Sequence, residues 1–386
     1  MKKNKICIIS SSRADYGLLK PLIMKFLYSE FFKLQLVVTG SHLSKRHGYT
    51  VNEIIADNIP IKKKVKVIHQ TNTQEDIGKN SANAFFKMID VLSELKPNIV
   101  LILGDRYEIL SCALASTFLH IPIAHIHGGE ITEGAIDDML RHAITKLSQI
   151  HFTSNVVYKQ RVIQMGEQPK SVFNVGSLGI ENLKNLKLIT LDKLQKQIGF
   201  EFRKKNILVT YHPISLDENP KIGIDVLLKS LSNFSEIGMI FTFANADIKG
   251  EYIIQEISKF AKNNDNVKLI HNLGQINYFS CLKYCNGMVG NSSSGIIEAP
   301  SMNKWSINIG DRQKRRLKAN SVFDVEINEE KITKKLNFLL KKNLKIPLSD
   351  FINPYSKKNT SVRIYEILKS INTEEIFKKK FFDINF

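Results

Sequence analysis

Short apolar runs rich in β-branched residues alternate with stretches of helical period along almost the whole chain, and this alternation limits the fold more than any other feature. Near-continuous Val/Ile/Leu strands are buried on both faces, which calls for helices above and below a parallel sheet. A first series of such runs comprises 5–10, 34–39, 99–104, 122–127 and 150–153. A second comprises 206–211, 238–243, 267–270, 287–290 and 306–309. Within the first series, 75–95 carries an amphipathic helical pattern that Pro97 stops. Two sets of βα units in 386 residues predict two doubly wound, Rossmann-like α/β domains, at the usual ~100–200 residues each. The expected boundaries are 1–175 and 176–355, with the join in the Leu/Lys-rich stretch 176–198, which has no strand signal. Residues 356–386 are expected to carry a last helix, over 361–371, after the Asn353-Pro354 turn.

Composition narrows the function classes. Lys+Arg 55 against Asp+Glu 37 gives a net charge of +18, but the lysines are scattered, and only 314–318 and 378–380 are dense. A nucleic-acid partner would need a clustered basic stripe with interleaved aromatics, and none is present. The four cysteines, Cys7, Cys112, Cys281 and Cys285, form no CxxC pair, so a reducing compartment, the cytoplasm, is expected. No apolar run approaches the ~20 residues of a membrane span, and the run after Met1 to Lys5 is too short for a signal-peptide core. No membrane partner is therefore expected.

In open α/β sheets ligands bind beyond the carboxyl ends of the strands, so the residues after each strand matter most. Here they are polar: 10–13, 39–42, 104–108 and 127–130 in the first half, and 211–213, 245–247, 290–295 and 310–312 in the second. They are expected to converge on one cleft. Gly290-Asn291-Ser292-Ser293-Ser294-Gly295 lies between a strand and a helix, where small residues let backbone N–H groups approach a diphosphate; the alternative is an ordinary serine helix cap. Glu298, one turn on, is placed to accept from a ribose diol. His212, Asn245 and Arg312 stand at strand ends in the same half. Neither GxGxxG nor GxxxxGK[ST] occurs, so the phosphate is held without either motif.

The first half gathers ionisable groups. Strand alternation places His125 and His127 on one face, Gly128-Gly129 frees the chain for Glu130 to turn, and Asp137 and Asp138 begin a helix with Arg141 one turn on. An Asp–Arg pair at that spacing is also an ordinary ion pair. Asp105 emerges from a wholly apolar run, which a solvated loop acid does not explain. The His-x-His pair with acids could suggest a metal, but no full ligand set at familiar spacing appears. Carboxylates and a histidine around one sugar-sized space suit acid–base chemistry.

These segments, with Ser12-Arg13-Ala14-Asp15-Tyr16-Gly17, Gly104-Asp105-Arg106-Tyr107-Glu108, Arg141-His142-Ala-Ile-Thr-Lys146 and Asn308-Ile-Gly-Asp-Arg312-Gln313, closely resemble the hydrolysing UDP-N-acetylglucosamine 2-epimerases of bacterial sialic acid synthesis. The likeness runs from the first strand to about residue 325. It implies a glycosyltransferase-B architecture with the last helix packing back on the N-terminal domain, a homodimer, and a reaction needing no cofactor and no metal. It implies that Arg13, Gly17, His212, Asn245, Ser292, Ser293, Ser294, Gly295, Glu298 and Arg312 hold the nucleotide in a UDP-sugar. It places Asp105, His127, Glu130, Asp137, Asp138 and Arg141 around the sugar, with His212 also near the reaction. The chain departs from the family at His127, where several relatives have Glu, and at Arg315, where relatives usually have Gly.

The implied reaction converts UDP-N-acetylglucosamine to N-acetylmannosamine and UDP. Base removal of the C2 hydrogen accompanies departure of UDP from C1, giving a glycal with a C1=C2 double bond. Water then adds at C1 while a proton reaches C2 from the other face, which calls for two proton-handling groups. N-acetylglucosamine is the expected sugar. The stretch 130–137 is also similar to the branch acting on the 2,4-diacetamido-2,4,6-trideoxy analogue (N,N'-diacetylbacillosamine) in legionaminic acid synthesis, the alternative substrate. A glycosyltransferase of the same fold is a further alternative.

Overall fold

A computed structural model describes residues 3–45, 48–67, 73–213, 221–242, 250–271, 273–341, 347–373 and 376–384. The chain forms two compact units, one of residues 1–130, 137–182 and 357–386, the other of residues 131–136 and 183–356. The strands of unit 1 are β1 (Asn4–Ser10), β2 (Phe32–Thr39), β3 (Ile61–Val65), β4 (Ile99–Leu103), β5 (Ile123–Ile126), β6 (Ile150–Thr153) and β7 (Val172–Asn174). Those of unit 2 are β8 (Asn206–Thr210), β9 (Gly238–Thr242), β10 (Val267–Ile270), β11 (Gly287–Gly290), β12 (Trp305–Ile309) and β13 (Val322–Val325). The sheets run 3-2-1-4-5-6-7 and 10-9-8-11-12-13, parallel at every pairing. Each is doubly wound.

The ten expected strands are present, though residue 243 lies outside the described residues. Three strands, β3, β7 and β13, carry too weak a pattern to be read in advance. All three are sheet edges. An edge strand has one partner and part of its surface in water; β3 reads Ile-Lys-Lys-Lys-Val with its lysines at or near the surface. Lysines there also discourage pairing with another chain. Central β4, five apolar residues all buried, shows the opposite pattern.

The helix Arg13–Leu27 shows how local sequence and packing agree. Ser12 and Asp15 close a capping box at its start. Leu19, Leu22, Ile23 and Phe26 then fall on one face and are fully buried against the sheet. Each such side chain contributes about 1.5–3 kcal/mol by leaving water. The helix Thr360–Ser370 joins the same core through Ile364 and Leu368. Its Tyr365 hydroxyl lies 2.6 Å from Ser29 Oγ, and Glu181 accepts from Ser361 N and Oγ at 2.6 and 2.9 Å. All four cysteines are free and buried, and burial pushes the Cys281 thiol up to about 12, which keeps it protonated and unreactive. No described helix is long and apolar enough to cross a membrane.

Candidate active site

Strand order fixes where a ligand can enter each unit. The order reverses between β1 and β4 in unit 1 and between β8 and β11 in unit 2, and splayed connections leave a crevice at such a switch point. Residues 11–13 and 104–108 come after the first pair, residues 211–213 and 291–295 after the second.

In unit 1 the switch point carries charge. Arg141, in the helix Ile136–Leu147, makes an ion pair with Asp105 and reaches Glu130 Oε2 at 3.3 Å. Burial works against its charge, but Asp105 and then Glu130 outweigh it and raise its pKa, so the guanidinium stays charged. Glu130 Oε1 accepts from Ser154 Oγ at 2.8 Å and lies 3.4 Å from His127 Nδ1. Asp105, His127, Glu130 and Arg141 are thus brought together from separate stretches of chain. Asp138 lies 3.6 Å from His142 and adds to the charges that raise the Arg141 pKa, and Asp137 stands half-buried in the first helical turn.

The two histidines of the His-x-His stretch part company, contrary to strand alternation. β5 ends at Ile126, and His127 is left-handed at φ 68°, a conformation costing about 1–2 kcal/mol for a residue with a Cβ. Gly129 comes next but one at φ 77°, and a Cβ there would lie 2.6 Å from the Tyr158 carbonyl oxygen. This close approach is why the turn that returns Glu130 to Arg141 needs glycine. His125 stays in the strand, fully buried, with Nε2 2.7 Å from the Gly104 carbonyl and Nδ1 3.2 Å from Thr145 Oγ1. Burial pulls its pKa down to about 3. As a neutral ring it donates from Nε2 to Gly104, whose own φ of 85° turns the chain into Asp105. Among the described residues no group of three or more His, Cys, Asp or Glu is placed to hold a metal ion.

In unit 2 the switch point is built from dipoles. Asn291 is its centre: Oδ1 accepts from His212 N at 2.7 Å, Nδ2 donates to His212 O at 2.8 Å, and its carbonyl accepts from Arg312 Nη1 at 3.1 Å and Gln313 Nε2 at 3.2 Å. Gly290, at φ 135°, would place a Cβ 1.9 Å from the Thr210 carbonyl oxygen, so no other residue fits. Ser293 begins the helix Ser294–Ser301 without a side-chain capping bond of its own. Ser292 Oγ accepts from Ser294 N at 3.3 Å. Gly295 lets the helix press on β12, since a Cβ would fall 2.4 Å from Ser306 Oγ. Glu298 is half-buried one turn in. Burial, with Arg312 nearby, pulls the His212 pKa down to about 3, so His212 offers an anion hydrogen bonding and not charge.

Two further expected nucleotide residues fall in unit 1. Arg13 is half-buried, its Nη1 enclosed with no hydrogen-bond partner among the described residues, and the Gly17 carbonyl accepts from Asn182 Nδ2. Asn245 lies outside the described residues. Sequence reading passed over Ser154, Asn291, Gln313 and the anchoring role of His125. Ser154 stands directly after β6, so the rule that strand-end residues line the site extends to it. No sequence signal shows that Asn291 bonds the backbone of residue 212.

The model of the UDP-N-acetylglucosamine 2-epimerase family matches residues 26–369. The chain is 40% identical to the GDP/UDP-N,N'-diacetylbacillosamine 2-epimerase (hydrolyzing) of Campylobacter jejuni over the whole of both chains. It is 37% identical to polysialic acid biosynthesis protein P7 of Escherichia coli, over 98% of this chain and 97% of that one. It is 35% identical to the UDP-N,N'-diacetylbacillosamine 2-epimerase (hydrolyzing) of Legionella pneumophila, over 95% and 96%. Among solved structures, the Neisseria meningitidis UDP-GlcNAc 2-epimerase bound to UDP-GlcNAc superposes with a TM-score of 0.80 at 20% identity, covering 94% of this chain and 99% of that one. The S. aureus MnaA–UDP co-structure gives 0.81 at 19%, covering 99% and 100%. These structures share the fold, two doubly wound units of glycosyltransferase-B architecture. The chain belongs to the UDP-N-acetylglucosamine 2-epimerase family and is a UDP-sugar 2-epimerase.

Proposed function

We propose that the chain hydrolyses UDP-2,4-diacetamido-2,4,6-trideoxyglucose with inversion at C2, in place of the N-acetylglucosamine substrate expected first. The sugar assignment is carried by one observation. The relatives whose names specify diacetylbacillosamine are 40% and 35% identical, whereas the Neisseria meningitidis UDP-N-acetylglucosamine 2-epimerase is 28% identical.

The diphosphate is met by Ser292, Ser293, Ser294 and Gly295 at the helix start, by Arg312 and by neutral His212, with Glu298 on the ribose. Arg13, Gly17 and Asn245 complete the nucleotide contacts. Stabilising the charge that develops on the leaving diphosphate is what drives elimination. Asp105, the more exposed of the two carboxylates on Arg141 at 20% against 3% for Glu130, acts as the base at C2. His127, backed by Glu130, handles the proton on the other face, with Asp137 and Asp138 orienting the sugar hydroxyls. Electrons from the broken C2–H bond form C1=C2 as the C1–O bond to UDP breaks; water oxygen then bonds C1 and a proton bonds C2.

Turnover in D₂O with each UDP-sugar, and with the GDP-linked diacetamido sugar, tests this. The expected product is a manno-configured free sugar carrying deuterium at C2 and solvent oxygen at C1, with kcat/KM at least ~10-fold higher for the UDP-diacetamido sugar. A higher kcat/KM for UDP-N-acetylglucosamine overturns the sugar assignment. Protium retained at C2 overturns the elimination route.

A further inference from the structure

The chain passes out of unit 1 directly after Glu130, spends residues 131–136 as part of unit 2, and re-enters unit 1 at Asp137. Both flanking residues are acids assigned to the sugar. Within unit 2 this six-residue segment is held by the loop that comes after Arg312. Arg316 Nε donates to the Ile131 carbonyl at 2.7 Å and Nη2 to Thr132 Oγ1 at 3.2 Å. Arg316 is 7% exposed and Thr132 4%. Arg315 Nε pairs with Glu133 Oε1 at 2.7 Å, but its side chain is 75% exposed.

We infer that Arg316 is a positioning residue, fixing the segment 131–136 so that the nucleotide-side loop governs where Glu130 and Asp137 are held. The inference rests on the roles proposed above for those two acids. Between Asn291 and Arg316 the path is short and hydrogen-bonded throughout. Arg312 and Gln313 both donate to the Asn291 carbonyl, Lys314 N donates to Asp311 O at 2.8 Å, and Arg316 N donates to Gln313 O at 3.2 Å. A diphosphate that draws on Arg312 therefore pulls on a loop whose next turn grips residues 131 and 132. A planar guanidinium spanning a carbonyl and a hydroxyl fixes orientation as well as distance, which a lysine cannot do. Arg315 has a different part: its ion pair with Glu133 is exposed, and an exposed ion pair contributes little.

Arg316→Lys and Thr132→Val separate this role from nucleotide contact and from folding. Each is expected to lower kcat by ~10-fold or more while the Kd for UDP, by calorimetry, stays within ~3-fold of the parent. Amide exchange at 131–136 is expected to slow when UDP is added to the parent protein, and to lose that response in Arg316→Lys. Arg315→Gly is expected to change kcat by less than ~2-fold. UDP affinity falling in step with kcat, or exchange at 131–136 indifferent to UDP in the parent, overturns the inference. Thr132→Val replaces one hydroxyl by a methyl at nearly constant volume, so it answers even where Arg316→Lys fails to fold. Should the parent release no UDP from any UDP-sugar, the functional reading fails, while the exchange measurement still tests the coupling of loop to segment.

Discussion

The two switch points differ in how they handle charge. Around Asn291 in unit 2 most of the machinery is neutral: an amide, backbone N–H groups, serine hydroxyls and an uncharged His212, with Arg312 as the cation. Around Arg141 in unit 1 the groups are ionic, two carboxylates sharing one buried guanidinium. A site of fixed dipoles can receive a diphosphate without reorganising, because the donors already point where the charge will be. A site of compensating ions is costly to bury and costlier to leave half-paired. The first arrangement suits holding a leaving group, the second moving protons.

Neutralising one acid in unit 1 separates the two most sharply. Glu130→Gln and Asp105→Asn are each expected to slow kcat by ~10²-fold or more, because they remove proton handling, while UDP affinity stays within ~2-fold. Parallel loss of UDP binding, measured by calorimetry, would break the division of labour.

A smaller effect is expected from the opposite side. Arg312→Ala removes a charge-assisted hydrogen bond of about 1.5–3 kcal/mol and is expected to weaken UDP binding by ~10–100-fold. Asp105 and Glu130 remain on Arg141 in that variant, so the residual C2 exchange in D₂O is expected to keep the same stereochemistry. UDP affinity unchanged in Arg312→Ala and in Ser293→Ala would remove the nucleotide assignment.

The smallest effect lies in pH, where both sites share a feature. His125 and His212 have pKa values depressed to about 3 in the folded chain against an ordinary 6.5. Below 6.5 the unfolded chain takes up protons that the folded chain refuses, so stability falls as pH drops from about 6.5 toward about 3. Glu167 adds to the loss lower down. Burial opposes its charge, but the His151, Lys146 and Lys379 partners hold its carboxyl well below 4.5. Urea midpoints are expected to fall between about pH 7 and about pH 5, and to fall less in His125→Asn. A flat profile would show that the two imidazoles do not stay neutral through that range.

The parallel, doubly wound plan was legible because a strand buried on both faces has to be apolar throughout, as in 99–103 and 206–210. The glycine–serine loop 290–295 was legible as a tight strand-to-helix turn, because a Cβ at Gly290 would meet the Thr210 carbonyl and one at Gly295 would meet Ser306. The acid cluster was legible only as a set of types. Asp105, Glu130, Arg141 and Ser154 carry no mutual spacing rule, since the strand order 1-4-5-6 of the sheet brings them together.

Local sequence alone determined the strands with two neighbours, the capped helices and the turns where glycine is the residue that fits, because each depends on periodicity or on the space beside one Cα. Tertiary structure decided the rest. It recruited edge strands such as β3 through pairing with a neighbour already in place. It turned His127 out of its strand and left His125 neutral inside, and it brought Arg141 to two carboxylates distant in the chain. Those outcomes depend on burial and on electrostatics between residues far apart in the chain, and both quantities exist only once the sheet has formed.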